Sequence, residues 1–270
     1  MGELRSYSVV AFNTATASAN KMHDDVVARR FGFRGGLVPG VDVYAYLCHP
    51  PAEAWGRAWL ERGTMTARFV RPVYDGDRVE VVPVGDGGLE LRDRGGALCA
   101  TATVALPATP ADPPDPDAWP DVAPAITPPP ASPEALAPGT SFGLAPHRFH
   151  ADRAGEYLTE VREALPLFAT ERIAHPAWVL RDANYVLSAN VRLGPWIHVS
   201  SEVQHHGVVR DGEEVAARAV VTAEWEAKGH RFVTLDVVHL ADGRPVARTV
   251  HTAIHRPRGA AASAPPPRRS

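Results

Sequence analysis

The stretch SANKMHDDVVARRFGFRGGLVPGVDVYAYL, residues 18–47, decides the fold. It places an asparagine, a histidine and two aspartates close together, passes through a glycine-rich turn, and continues as an apolar run from Val38-Pro39-Gly40. Proline is favoured at the first position of a helix, where its missing N–H would have no partner. The pattern predicts a helix that begins at Pro39 and carries Val41, Tyr44 and Leu47 inward, with the polar cluster facing its N-terminus.

The run His49-Pro50-Pro51 predicts the end of this helix, because a proline inside a helix removes a hydrogen bond and clashes with the preceding turn. A second helical piece is expected over residues 52–60. Alternating β-rich runs separated by DG, DGG and RGG turns then predict antiparallel strands over residues 65–70, 79–84, 89–92 and 97–106. A helix followed by an antiparallel meander belongs to the α+β class.

The segment from residue 107 to residue 146 contains about half of the 26 prolines and few large apolar residues, which is typical of an extended linker. After it the first pattern returns. Pro176 opens an apolar segment, strand-like runs follow it, and the turn Asp75-Gly76-Asp77 has a counterpart in Asp211-Gly212-Glu213. A repeated helix and a repeated turn at similar separation indicate two copies of one helix-wrapped sheet.

This repeat predicts four segments. The first unit is expected over residues 1–106, the proline-rich linker over residues 107–146, and a second, degenerate unit over residues 147–258. The tail at residues 259–270 lacks large apolar residues and is expected to be disordered.

Composition excludes several classes of partner. The net charge is −3, with 28 basic and 31 acidic residues well mixed, so we expect no nucleic-acid or membrane partner. No apolar run approaches the ~20 residues that span a bilayer. The two cysteines form no CxxC pair and the N-terminus does not resemble a secretory signal, so we expect a cytoplasmic protein with reduced thiols.

Two motifs carry a family resemblance. The run Asn20-Lys21-Met22-His23-Asp24-Asp25, followed by Gly35-Gly36 and Pro39-Gly40, resembles the signature of the MaoC-like (R)-specific enoyl-CoA hydratases and dehydratases, which have the hotdog fold. Residues 68–79, RFVRPVYDGDRV, resemble the strand-turn-strand that closes the same domain. The resemblance implies a double hotdog, in which two antiparallel sheets, each wrapped around a central helix, pair into one long sheet within the chain.

The resemblance also implies a reaction and a substrate. The reaction is hydration of an enoyl thioester or dehydration of a 3-hydroxyacyl thioester, with acyl-CoA or acyl-ACP (acyl carrier protein) as substrate. One half is expected to catalyse while the other lends its surface. The chain would act as a monomer with an internal pseudo-dimer or as a homodimer.

His23 is the candidate acid–base residue, because an imidazole with a near-neutral pKa can move protons in either direction. Asn20 is expected to orient His23 or a water molecule. By resemblance, the backbone N–H of Gly40 at the helix start is the donor to the thioester oxygen, and the helix N-terminus adds partial positive charge there.

Ser18 marks a departure from the family, whose catalytic aspartate occupies this position. A serine hydroxyl is neutral and too weak a base to replace a carboxylate. Asp24 and Asp25 are the alternative sources of a carboxylate, although Asp25 matches a position that is structural in the family.

Two other functions remain open from the sequence. A site without the family aspartate could hydrolyse the thioester, since the hotdog fold also hosts thioesterases, or the chain could bind acyl-CoA without catalysis. No metal or cofactor is expected, because the pairs His147/His150 and His205/His206 lack cysteine or acidic companions at the spacing of a zinc site.

Overall fold

The computed structural model describes residues 2–259, so the disorder expected for the tail beyond residue 259 lies outside the described residues. Residues 2–259 form five α-helices and eleven strands. The helices are α1 (Asp25–Arg30), α2 (Gly40–Arg62), α3 (Ala151–Glu160), α4 (Pro166–Thr170) and α5 (Pro176–Asn190). The strands are β1 (Tyr7–Val10), β2 (Thr64–Phe69), β3 (Arg78–Val84), β4 (Gly88–Asp93), β5 (Leu98–Ala105), β6 (Ser141–Gly143), β7 (His147–Arg148), β8 (Ile197–His205), β9 (Glu214–Ala227), β10 (His230–Ala241) and β11 (Arg244–Arg256).

All eleven strands belong to one sheet with the order β1-β3-β4-β5-β2-β8-β11-β10-β9-β6, and β7 also pairs with β9. The first five strands in this order come from the first half of the chain and the other strands from the second half. The halves join where β2 runs antiparallel to β8, with Thr64 opposite Gln204 and Arg68 opposite Ser200. The fold is the double hotdog that the sequence predicted.

Hydrogen bonds around the two central helices show the internal repeat directly. In the first half the Val38 N–H donates to the Val73 carbonyl, and in the second half the Ala174 N–H donates to the Val209 carbonyl. The turn bonds match as well: Gly76 N–H to Ala11 O corresponds to Gly212 N–H to Phe149 O. The two halves therefore position α2 and α5 by the same local contacts.

Helix α2 differs from its prediction at both of its ends. It starts at Gly40, with Pro39 as the flanking residue, and it continues through Pro50 and Pro51 to Arg62. The expected end at His49-Pro50-Pro51 is wrong, because both prolines are buried in the core and the fixed φ of proline suits a helix. The backbone breaks instead at Gly56, where φ is 54° and ψ is −140°, a conformation that glycine adopts without steric cost.

The proline-rich segment 107–146 packs on the second half. Trp119 is buried against Val238 and Leu240, and its indole N–H donates to the Asp236 carbonyl at 3.0 Å. Further along, β6 pairs with β9 at the edge of the sheet. Within residues 2–259, no helix combines the length and the apolar content needed to cross a membrane.

Two contacts to largely buried carboxylates tie the halves together. Asp42 at the start of α2 accepts a hydrogen bond from Arg181 of α5 at 3.0 Å. His49 Nδ1 lies 2.9 Å from Glu163, whose side chain is 2% exposed. Burial raises the pKa of Glu163, but His175 and His49 beside it outweigh burial and lower the pKa to about 2. The Asp42 contact fixes the first turn of α2 against the second half, and the His49 contact fixes the helix further along.

Candidate functional site

His23 sits at the end of a short 3-10 helix, Lys21–His23, that the sequence itself stabilises. Asn20 caps this turn, since its Oδ1 accepts a hydrogen bond from the Met22 N–H at 3.1 Å. Met22 is buried with Ala28 and Leu37 and anchors the loop. The cap and the anchor hold the imidazole in a defined place.

The hydrogen bonds of His23 define its tautomer. Nδ1 lies 2.7 Å from the carbonyl oxygen of Leu37, and because a carbonyl can only accept, Nδ1 carries the proton. Nε2 is then the unprotonated nitrogen, and Asn20 Nδ2 donates to it at 3.2 Å. Burial lowers the pKa of His23, against the opposing effects of the Leu37 carbonyl and the Asp42 carboxylate. At neutral pH His23 is therefore a neutral base.

Asn20 joins this loop to the second half. Its Nδ2 also donates to the carbonyl of Trp196 at 3.0 Å, and its Oδ1 accepts from the Trp196 N–H at 3.2 Å. The structure thus brings Asn20 and His23 into direct contact, and it adds Trp196, which the sequence did not single out.

Ser18, Asp24 and Asp25 each accept a hydrogen bond from a nearby backbone N–H. Ser18 Oγ accepts from the Asn20 N–H at 3.0 Å. Asp24 caps α1 by accepting from the Val27 N–H at 3.0 Å, and Asp25 accepts from the Gly36 N–H at 2.8 Å. Asp24 and Asp25 border an open groove on the outer side of the loop, which His23 also borders.

Gly40 begins α2, so its N–H has no acceptor within the helix. A Cβ at this position would lie 2.7 Å from Nδ1 of His198 on β8. Only glycine therefore lets the second half approach the start of the helix so closely. His198 is itself held by Ser201, whose Oγ lies 2.8 Å from His198 Nε2.

The cavity at His23 has two lobes, an inner one and an outer one. Five residues line both lobes: Asn20, His23, Pro39, Asn184 and Trp196. The inner lobe has a volume of about 290 Å³ and includes Gly40 and His198. The rest of its wall is mostly apolar and includes Phe33, Leu37, Val43, Phe69, Ile197 and Ile254. The outer lobe has a volume of about 560 Å³ and is more polar, with Arg181, Tyr185, Ser188 and Arg192.

Among the described residues, no aspartate or glutamate lines either lobe. The nearby carboxylate of Asp42 is fully buried and is bound by Thr14 at 2.6 Å and by Arg181 at 3.0 Å. Burial raises the pKa of Asp42, while Arg181 and Thr14 favour its charged form. The Asp42 carboxylate does not line either lobe, and it influences the pKa of His23 only electrostatically.

The start of α5 offers a much smaller space. The cavity beside Pro176 has a volume of about 20 Å³, enough for about one water molecule, and His205 and His239 are among its lining residues. Across residues 2–259, no group of three or more histidine, cysteine, aspartate or glutamate side chains has an arrangement that would hold a metal ion. The two-lobed cavity at His23, which residues of both halves line, is therefore the candidate site.

Comparison with solved structures places the chain among double hotdog proteins. It superposes on a protein named MaoC-like dehydratase with a TM-score of 0.61 and 13% identity, over 93% of this chain and 98% of that one. It superposes on Rv0216 of Mycobacterium tuberculosis, described as having a double hotdog fold, with a TM-score of 0.58 and 16% identity, over 94% and 96% of the chains. A putative thioesterase from Novosphingobium aromaticivorans gives a TM-score of 0.54 and 14% identity, over 93% and 96%.

Neither the protein-family models nor the curated proteins contain a match to this chain. At these identities the solved structures establish the fold. Activity has to be argued from the site.

Proposed function

We propose that this protein is a hydro-lyase that adds water to an enoyl thioester or removes it from a 3-hydroxyacyl thioester carried by coenzyme A or a carrier protein. The observation that carries this proposal is the place of His23. His23, whose Nε2 is unprotonated, lines both the apolar and the polar lobe, and Gly40, whose N–H at the start of α2 has no acceptor within the helix, lines the apolar lobe with it. The apolar lobe suits an acyl chain, and the polar lobe suits the thioester arm.

In the dehydration direction, His23 Nε2 removes the proton from the α-carbon, and the electron pair moves into the thioester carbonyl. The Gly40 N–H and the positive end of α2 stabilise the enolate oxygen that forms. The electron pair then returns to form the double bond while the β-carbon–oxygen bond breaks. Nε2 gives its proton to the departing hydroxyl, so that water leaves and His23 is neutral again.

One acid–base residue can serve both proton transfers if they occur on the same side of the substrate. This is the arrangement that fits a cavity with no lining carboxylate. The substrate has to displace Asn20 Nδ2 from His23 Nε2, and Asn20 keeps its bond to the Trp196 carbonyl when it does so. A well-placed general acid–base residue contributes about 10² to 10⁴ in rate.

A thioesterase is the second candidate, favoured by the fold shared with the putative thioesterase and by the serine at position 18. Water held near His23 would attack the thioester carbonyl bound at Gly40. A panel of enoyl thioesters separates the two reactions. Loss of the conjugated enoyl absorbance without thiol release supports the hydro-lyase, release of free thiol supports the thioesterase, and binding without either supports a non-catalytic role.

The setting of the reaction follows from two further features. Cys48 and Cys99 are buried free thiols, which suits the reducing cytoplasm. The pairing of β2 with β8 within one chain brings both halves to the cavity, which supports catalysis by a monomer with an internal pseudo-dimer as well as by a homodimer.

A further inference from the structure

Asn184 on α5 is the polar residue of the cavity that the proposed reaction has not used. It lines both lobes together with Asn20 and His23. Its Oδ1 is buried and has no hydrogen-bond partner within residues 2–259. A buried amide oxygen without a hydrogen-bond partner lowers the free energy of unfolding by about 1–3 kcal/mol. The other polar α5 residues on the cavity wall, Arg181, Tyr185 and Ser188, line the outer lobe alone, whereas Asn184 lines both lobes.

The polar side chains of Ser18, Asn20 and Asp42 near the junction already have partners. Ser18 Oγ accepts from the Asn20 N–H, and the Asn20 amide is occupied by Met22, Trp196 and His23. Asp42 is bound by Thr14 and Arg181. Of the five residues that line both lobes, Asn184 is the one whose side-chain oxygen is left free to accept a hydrogen bond.

We infer that Asn184 is a positioning residue that holds the attacking water, or the β-hydroxyl in the reverse direction, beside His23 where Ser18 leaves the family carboxylate missing. This inference rests on the proposed hydro-lyase function. A half-turn of the terminal torsion exchanges Oδ1 and Nδ2, so the amide can offer either an acceptor or a donor to the lobes. An amide cannot take up a proton, so every proton transfer stays with His23.

The inference gives the second half a direct part in the reaction. By resemblance, the second half was expected only to lend its surface to the acyl chain. Asn184 would instead supply one of the groups that orient the reacting oxygen. A misplacement of about 1 Å can cost about 10²-fold in rate, so loss of this contact should act mainly on turnover.

The test compares Asn184→Leu and Asn184→Asp with a matched amide on the same helix. Asn190 lies outside both lobes and is fully bonded, with Nδ2 donating to the carbonyls of Gly143 at 2.8 Å and Val186 at 2.7 Å. Asn190→Ala should therefore lower the melting temperature and leave kcat unchanged. Circular dichroism and thermal melts confirm that each variant is folded before its kinetics are measured on enoyl-CoA.

For Asn184→Leu we expect kcat to fall by about 10²-fold while KM changes by less than about threefold. For Asn184→Asp we expect the acid limb of the kcat profile to move to higher pH by about one unit, because a carboxylate within about 4–6 Å favours the protonated imidazole. The Asp42–Arg181 pair, which also acts on His23, is the same in both variants. The pH shift in Asn184→Asp tests whether this position faces His23, and the fall of kcat at nearly constant KM in Asn184→Leu tests the positioning role, because a purely structural residue would not lower kcat selectively.

A double variant adds a second readout. If Asn184 compensates for the missing carboxylate, the penalty of Asn184→Leu should be smaller in the Ser18→Asp background, which is a non-additive result. Wild-type kcat and pH profile in Asn184→Leu, or an equal loss of kcat in Asn190→Ala, would overturn the inference while the hydro-lyase activity of the wild type stands. A wild type that turns over no enoyl or 3-hydroxyacyl thioester would overturn the proposed function, and this inference with it.

Discussion

Replacement of Gly40 by alanine tests how the two halves meet at the start of α2. The new Cβ would lie 2.7 Å from Nδ1, 2.9 Å from Cβ and 3.0 Å from Cγ of His198, all shorter than an ordinary van der Waals contact. His198 has little room to retreat, because Ser201 binds its Nε2 and the Phe69 ring packs on it at 4.6 Å. The start of α2 and β8 would have to separate by several tenths of an ångström.

Overpacking of this kind costs about 1–3 kcal/mol of unfolding free energy. At about 2–4 °C for each kcal/mol in a chain of this size class, the melting temperature should fall measurably. The same movement displaces the Gly40 N–H from the place proposed for the thioester oxygen. Loss of one such donor costs about 10² to 10³ in kcat, so we expect a fall of about 10²-fold.

Gly155→Ala in α3 is the control, because a Cβ there meets nothing within 4 Å and the position is inside a helix. It should keep the wild-type kcat and raise the stability by up to about 1 kcal/mol. A Gly40→Ala protein with a lower melting temperature and a normal kcat would refute the role of the Gly40 N–H. A protein unchanged in both would also refute the packing argument.

Two further predictions concern charge. Ser18→Asp places a carboxylate where the MaoC-like hydratases that this sequence resembles have their catalytic aspartate, and we expect the rate of enoyl-CoA hydration to rise by at least about tenfold; an unchanged rate would show that the lack of a carboxylate at position 18 does not limit the reaction. Glu163 has a pKa lowered to about 2 from its ordinary 4.5, so it stabilises the fold above pH 4.5 and loses this contribution as the pH falls towards 2. Glu163→Gln should therefore cost about 2–3 kcal/mol at pH 7 in urea unfolding and flatten the stability profile between pH 4.5 and pH 2, whereas an unchanged profile would refute the coupling.

Local sequence signals predicted most of the fold. The strand predicted over residues 79–84 is observed as Arg78–Val84, and that predicted over residues 65–70 is observed as Thr64–Phe69. Alternating apolar residues and glycine-containing turns are patterns of a few consecutive residues. Such local patterns predict strands and turns directly from the sequence. The end of α2 was mispredicted because burial of Pro50 and Pro51, a tertiary effect, outweighs the local preference of proline.

The candidate site could be predicted only in part. Asn20 and His23 are three residues apart, and a short turn brings them together. Trp196 and Arg181 reach the site from the second half, 176 residues from Asn20 and 139 residues from Asp42. Nothing in the local pattern around these two residues marks them, because their role comes from the pairing of the halves.

The unprotonated Nε2 of His23 is the group on which the proposed reaction depends. The most direct test measures hydration of a panel of enoyl-CoA thioesters by the wild type and by His23→Gln, with thermal melts to show that both are folded. The account predicts turnover by the wild type, with an acid limb below pH 6.5 because burial lowers the pKa of His23, and a loss of at least about 10²-fold in the variant. A variant that keeps the wild-type rate and pH profile would contradict it.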